Sequence, residues 1–264
     1  MIKNYTRKII KQKLAISLLG FILLLLWLET SKHWCYSLAI PIFFLGLVSW
    51  NSYTYAKARK ICLGKCYFDE NSLIYFFWTR KVMVFLLSFF VGLLLTGSFV
   101  LASSQFTLVD ILILFIDSFL LVLLHSLLEK NKTFNENIKA PIIKNITAWI
   151  NSLFIVLLLF VVALYQTPPE YLQTDLESTL KMLEKDSYSQ CMSIDMMAYV
   201  SSTLVATKWW LLSKATFILE NEYLKKSLWF FQLLGNYMMA FAYSRFILEL
   251  VDIFTRQRVG KIRE

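Results

Sequence analysis

The chain has 264 residues, 58% of them hydrophobic, with 22 phenylalanines and 13 tyrosines but 7 glycines and 4 prolines. A soluble domain of this length would show far more polar surface, and a membrane barrel would show alternating strands with many turn residues, so both are excluded. The net charge of +9 is not a nucleic-acid footprint, because the basic residues stand in blocks beside apolar runs, as membrane-flanking residues do.

The expected class is all-α: a polytopic helical membrane protein forming a single integral membrane domain over 1–264. Six transmembrane helices are expected, or seven if one ambiguous stretch crosses. Lys3, Arg7, Lys8, Lys11 and Lys13 precede the first span, 14–28. No small-x-small cleavage site follows between Glu29 and His33, so this helix is read as uncleaved. The second span, 34–50, is bracketed by Trp34 and Trp50 as interfacial anchors, and Pro41 is expected to kink it. The next segment, 51–81, reads as a basic, aromatic-rich loop whose residues 73–78 lie along the membrane surface. Cys62 and Cys66 would share a helix face there, with no second ligand pair nearby to make a metal centre.

The third span, 82–102, carries Ser88, Gly92 and Thr96 at four-residue spacing, a small-residue stripe that permits close helix approach within the protein or between copies. The fourth is 106–128. The links 29–33 and 103–105 are so short that spans one and two, and three and four, must be antiparallel hairpins. The fifth span is 146–165, after a polar segment at 129–144. An outer loop, 166–226, then opens on Thr167, Pro168 and Glu170, a capping box for a short amphipathic outer-side helix with Leu172, Leu176, Leu180 and Leu183 on one face. The stretch 196–219 is hydrophobic but carries Lys208, Lys214 and several hydroxyls, and is read as an interfacial or re-entrant helix. The last span is 228–248, followed by the basic tail Arg256, Arg258, Lys261 and Arg263. Placing every strongly basic flank on one side puts both termini in the cytoplasm, in the cell inner (plasma) membrane, a bacterial one by default.

Chemistry is sparse. Asp117 lies in the middle of the fourth span, where a charge costs about 2.5–3.5 kcal/mol on insertion scales. It must face protein or water, or be neutral, with Asn236 and Lys208 as candidate partners. It either binds and releases a proton or cation, or it orients helices through hydrogen bonds. Asp110 is expected to be solvated near the outer boundary, and His125 lies further round the same helix. Arg245 and Glu249 are one turn apart and are expected to pair while snorkelling at the inner boundary. Cys35 and Cys191 fall on the outer side, where they can form a disulfide, while Cys62 and Cys66 fall inside. No zincin, P-loop, dinucleotide or nucleophile-elbow pattern is present, so no catalytic residue, metal or cofactor is expected.

The expected function is that of a non-catalytic integral subunit of a larger membrane assembly: transport, secretion or DNA-transfer machinery. One alternative is a self-sufficient proton- or ion-coupled transporter or channel centred on Asp117. Another is an intramembrane or lipid-modifying enzyme. The expected partners are the lipid bilayer and other membrane or envelope proteins, with homo-oligomerisation open and no direct nucleic-acid binding.

Overall fold

In the computed structural model, residues 2–67, 81–130, 136–164, 175–183, 189–217 and 222–263 are described. Their regular structure is helical throughout: α1 (Ile2–Thr30), a 3-10 turn at Cys35–Leu38, α2 (Ala39–Tyr67), α3 (Lys81–Ser103), α4 (Leu108–Glu129), α5 (Glu136–Leu164), α6 (Leu176–Leu183), α7 (Met192–Phe217) and α8 (Glu222–Arg263). Five segments are long and apolar enough to cross a membrane: Ile10–Thr30, Cys35–Lys57, Lys81–Ser103, Leu108–Glu129 and Ala140–Val162. The protein is thus an all-α, polytopic membrane protein. The sixth expected span falls in α8, which is 42 residues long and is more polar than the other five.

The position of α8 explains that polarity. Residues 239–251 are buried without a break, so lipid touches no face of this stretch. Helices α1, α2, α3, α4 and α5 all pack against α8. Around the axis α3 lies beside α2, α2 beside α5, α5 beside α4, and α4 beside α1. The ring is tied at one end, where the Trp27 indole N–H of α1 donates to Ser103 Oγ of α3 over 3.1 Å. Outward, α3 presents Phe85, Leu86, Phe89, Phe90 and Leu93 exposed to the lipid.

With α8 between them, α1 separates from α2 and α3 from α4. The short links between α1 and α2 and between α3 and α4 make hairpins, but the arms splay. Helix α1 packs chiefly on α4 and α8, whereas α2 packs on α3. Gly92 sets the α2–α3 distance: a Cβ there would stand 2.1 Å from Ser49 Oγ and 3.0 Å from the Ser49 Cα. The Ser88, Gly92, Thr96 stripe is therefore buried within the protein, against α2. Next to it runs an aromatic column, Phe99 on Phe44 (4.6 Å between centroids) and Phe44 on Phe246 (4.4 Å), joining α3, α2 and α8.

Several expectations are corrected. Pro41 does not kink a span: α2 begins at Ala39, so the proline sits in the first turn, where its missing N–H costs nothing. Residues 51–67 are helix rather than loop, because α2 runs on to Tyr67. Asp110 is not simply solvated; it completes a capping box with Thr107 at the start of α4. The amphipathic helix occupies Leu176–Leu183, capped by Asp175, whose carboxylate accepts from the Glu177 and Ser178 N–H groups. The Thr167, Pro168, Glu170 box and the 73–78 surface segment lie outside the described residues, as do the side chains of Cys62 and Cys66.

Because the Gly92 contact involves backbone, neither helix can relieve it by a rotamer change. Gly92→Ala is expected to cost about 1–3 kcal/mol, read as a lowered thermal midpoint in mild detergent. Gly97→Ala has open space around the new methyl and should be neutral.

Candidate functional site

The polar residues of α8 meet partners from the surrounding helices at two levels of the bundle. The first lies towards the end that carries Lys13, Glu129 and Lys144. Glu249, 2% exposed, accepts from Asn51 Nδ2 of α2 over 2.8 Å and pairs with Lys144 Nζ of α5 over 2.7 Å. The same Lys144 ammonium reaches Asp252 at 2.8 Å. Arg245, 5% exposed, sends one guanidinium nitrogen to Ser52 Oγ and the other to Asn145 Oδ1, and lies 4.3 Å from the Phe241 ring centroid. At the rim, Lys13 of α1 pairs with Glu129 of α4 at 2.5 Å.

Arg245 and Glu249 therefore neither pair through space as one-turn neighbours nor snorkel. One turn of helix aims both inward, and each finds its partners on α2 and α5. Among the described residues, the cations Lys13, Lys144 and Arg245 and the anions Glu129, Glu249 and Asp252 gather in this level. A buried pair repays its desolvation only when the remaining donors and acceptors are also bonded; Asn51, Ser52 and Asn145 supply most of those bonds, while Arg245 Nε has no hydrogen-bond partner. His125 sits near this cluster with its Nδ1 enclosed and without a hydrogen-bond partner. Among the described residues no three His, Cys, Asp or Glu side chains converge as metal ligands.

The second level is at mid-span. Asp117 is 1% exposed and its Oδ2 accepts from Asn151 Nδ2 of α5 at 2.9 Å. The same amide donates to Ser244 Oγ of α8 at 3.0 Å, and Tyr243 donates to the Leu114 carbonyl at 3.0 Å. The donor to Asp117 is thus Asn151, rather than the expected Asn236 or Lys208. Asn236 is eight residues from Ser244 along α8, about 12 Å at 1.5 Å per residue, and so lies at another depth. Lys208 lies in α7, half-buried, with its ammonium 5.1 Å from the Trp209 ring centroid.

At the opposite end Cys35 and Cys191 form a disulfide with Cα atoms 5.1 Å apart across 156 residues of sequence. Around it Ser189 donates to the Ser31 carbonyl at 2.6 Å, Ser201 to the Leu101 carbonyl at 2.6 Å, and Gln105 to Ser202 at 2.9 Å. These contacts hold the start of α7 on the ends of α1 and α3.

Several network residues escape a reading of the sequence: Asn51, Ser52, Lys144, Asn145, Asn151, Ser244 and Asp252. A signal for some of them exists. Lys144, Asn145, Asn151 and Ser152 repeat at seven-residue spacing on α5, a polar stripe on an otherwise apolar helix. No known protein family, curated protein or solved structure matches the chain, so the role of the network rests on its own geometry.

Lys144 pairs with two carboxylates, Glu249 and Asp252. Lys144→Met is expected to lose about 3–5 kcal/mol, the cost of stranding a buried charge, measured by denaturant unfolding in mild detergent. Adding Glu249→Gln should restore much of that loss, because the amide can still bond Asn51 and no longer needs a cation.

Proposed function

We propose that this chain is a non-catalytic integral subunit of a larger membrane assembly, a rigid scaffold that presents its faces to other membrane proteins. The observation that carries this reading is the continuous burial of residues 239–251. A transporter or channel needs a path along or beside the bundle axis, and here a packed helix fills the axis. Its Glu249 and Asp252 pair with Lys144 and its Arg245 is hydrogen-bonded by Ser52 and Asn145, which suits a permanent joint better than a moving part. Transport, secretion and DNA-transfer machineries all use such subunits, and the choice among them belongs to the partners.

Two features support an orientation. Basic flanks favour the cytoplasmic side, which supports both termini lying inside, in the plasma membrane. The disulfide, at the opposite end of the bundle, then lies in the oxidising compartment where such bonds persist. Helix α7 rests on that outer end as an interfacial element.

Purified into liposomes, the protein should move neither protons nor small ions faster than empty vesicles. Extracted in mild detergent from its host, it should bring other membrane chains with it in constant ratio. Solute flux by the isolated chain would replace the subunit reading with the transporter reading. A reporter active only in the cytoplasm, fused after Glu264, should be active; an inactive one would mean that α7 crosses the bilayer.

A further inference from the structure

The carboxylates of the charged level each have a lysine, and Asp117 has none. Glu129 meets Lys13, while Glu249 and Asp252 meet Lys144. Asp117 meets one neutral amide through Oδ2, and its enclosed Oδ1 has no hydrogen-bond partner. The polar groups brought near it are uncharged. Helix α5 supplies Asn151, and α8 supplies Ser244 and Tyr243, whose hydroxyls donate to the Ala240 and Leu114 carbonyls. From α1 comes Ser17, whose hydroxyl donates to the Ser118 carbonyl. On α4 itself the nearest titratable groups are Asp110 and His125, about two turns away on either side.

Taking an ionised carboxylate out of water costs several kcal/mol, and a single amide donor does not offset that. A ligand that cancels the charge must also fit. Leu114 and Leu121, one turn to either side on α4, are sealed in the core with Tyr243, which leaves no room for a hydrated metal cation. A proton needs none.

We propose that Asp117 is a proton-binding site: its carboxyl takes one proton from water as α4, α5 and α8 assemble and keeps it as the neutral acid. The hydroxyl forms on Oδ1, and the carbonyl oxygen Oδ2 keeps the Asn151 hydrogen bond. Carboxylate and proton combine to a group of no charge, with no other reactant. The assembled bundle then holds one proton more than the same chain with its helices apart, so rising pH opposes assembly. Leu114 and Leu121 enclose the site, which makes it a store rather than a conduit. This site goes beyond the subunit reading and does not depend on it; liposome flux and co-purification decide that reading separately.

The test is infrared spectroscopy of the full chain in lipid vesicles near neutral pH, paired with unfolding measured across a pH series. Wild-type protein should show the C=O stretch of a carboxylic acid, and Asp117→Asn should lack it. Relative to that variant, the folded-to-unfolded ratio of the wild type should fall by up to about tenfold per pH unit as pH rises, the slope of one bound proton. No acid band in the wild type, an unchanged band in Asp117→Asn, or parallel stability profiles would each overturn the proposal. If Asp117→Asn does not assemble, Asp117→Glu keeps an acid there, and its band must shift; an unshifted band belongs to another carboxyl and is equally decisive.

Discussion

The contact on which the architecture depends is the Lys144–Glu249 pair, at 2.7 Å between α5 and the axial helix. In a bilayer, apolar helix faces gain little by leaving lipid for one another, so packing, hydrogen bonds and ion pairs decide which helices meet. The exposed face of α3 is satisfied by acyl chains. Helix α8 is not, because Arg245 and Glu249 have no acceptable position against hydrocarbon. Burying them among five other helices solves the problem only if those helices bring partners, and α2 and α5 do.

From that constraint the rest of the packing follows. An axial helix needs close neighbours on every side, and small residues provide the room: Ala240, Ala242 and Ser244 on α8, and Gly20 on α1, where a Cβ would stand 2.6 Å from Ile247 Cδ1. Aromatic stacking of Phe44 between Phe99 and Phe246 fills the wider gap beside α2 and α3. Because the axis is occupied, the two arms of each short-linked hairpin open around it: α1 packs on α4, and α2 packs on α3.

The two ends of the bundle are fastened by different chemistry. One end relies on ion pairs and amides, which are reversible and sensitive to any charge left unmatched. The other uses the Cys35–Cys191 disulfide with the serine bonds around it, which clamp α7 onto α1 and α3. Helix α7 also packs on α8, the helix that the ionic network buries. Mid-span Asp117, Asn151 and Ser244 join α4, α5 and α8 between these two anchors.

Composition and periodicity were enough to establish the solvent and the class. Long apolar runs with scarce glycine and proline can satisfy their backbone in lipid only as helices, and five of the expected spans stand at nearly the expected positions. Which face each helix turns inward was not readable, because a run that is apolar all round gives no moment. Asp117 stood out in the sequence because it interrupts such a run, whereas its donor Asn151, a neutral residue on the next helix, did not. Arg245 and Glu249 looked like a boundary pair because their spacing of four puts them on one helix face. Only the tertiary structure, by wrapping five helices around α8, turned that face into the centre of the protein and matched each charge with a partner from elsewhere in the chain.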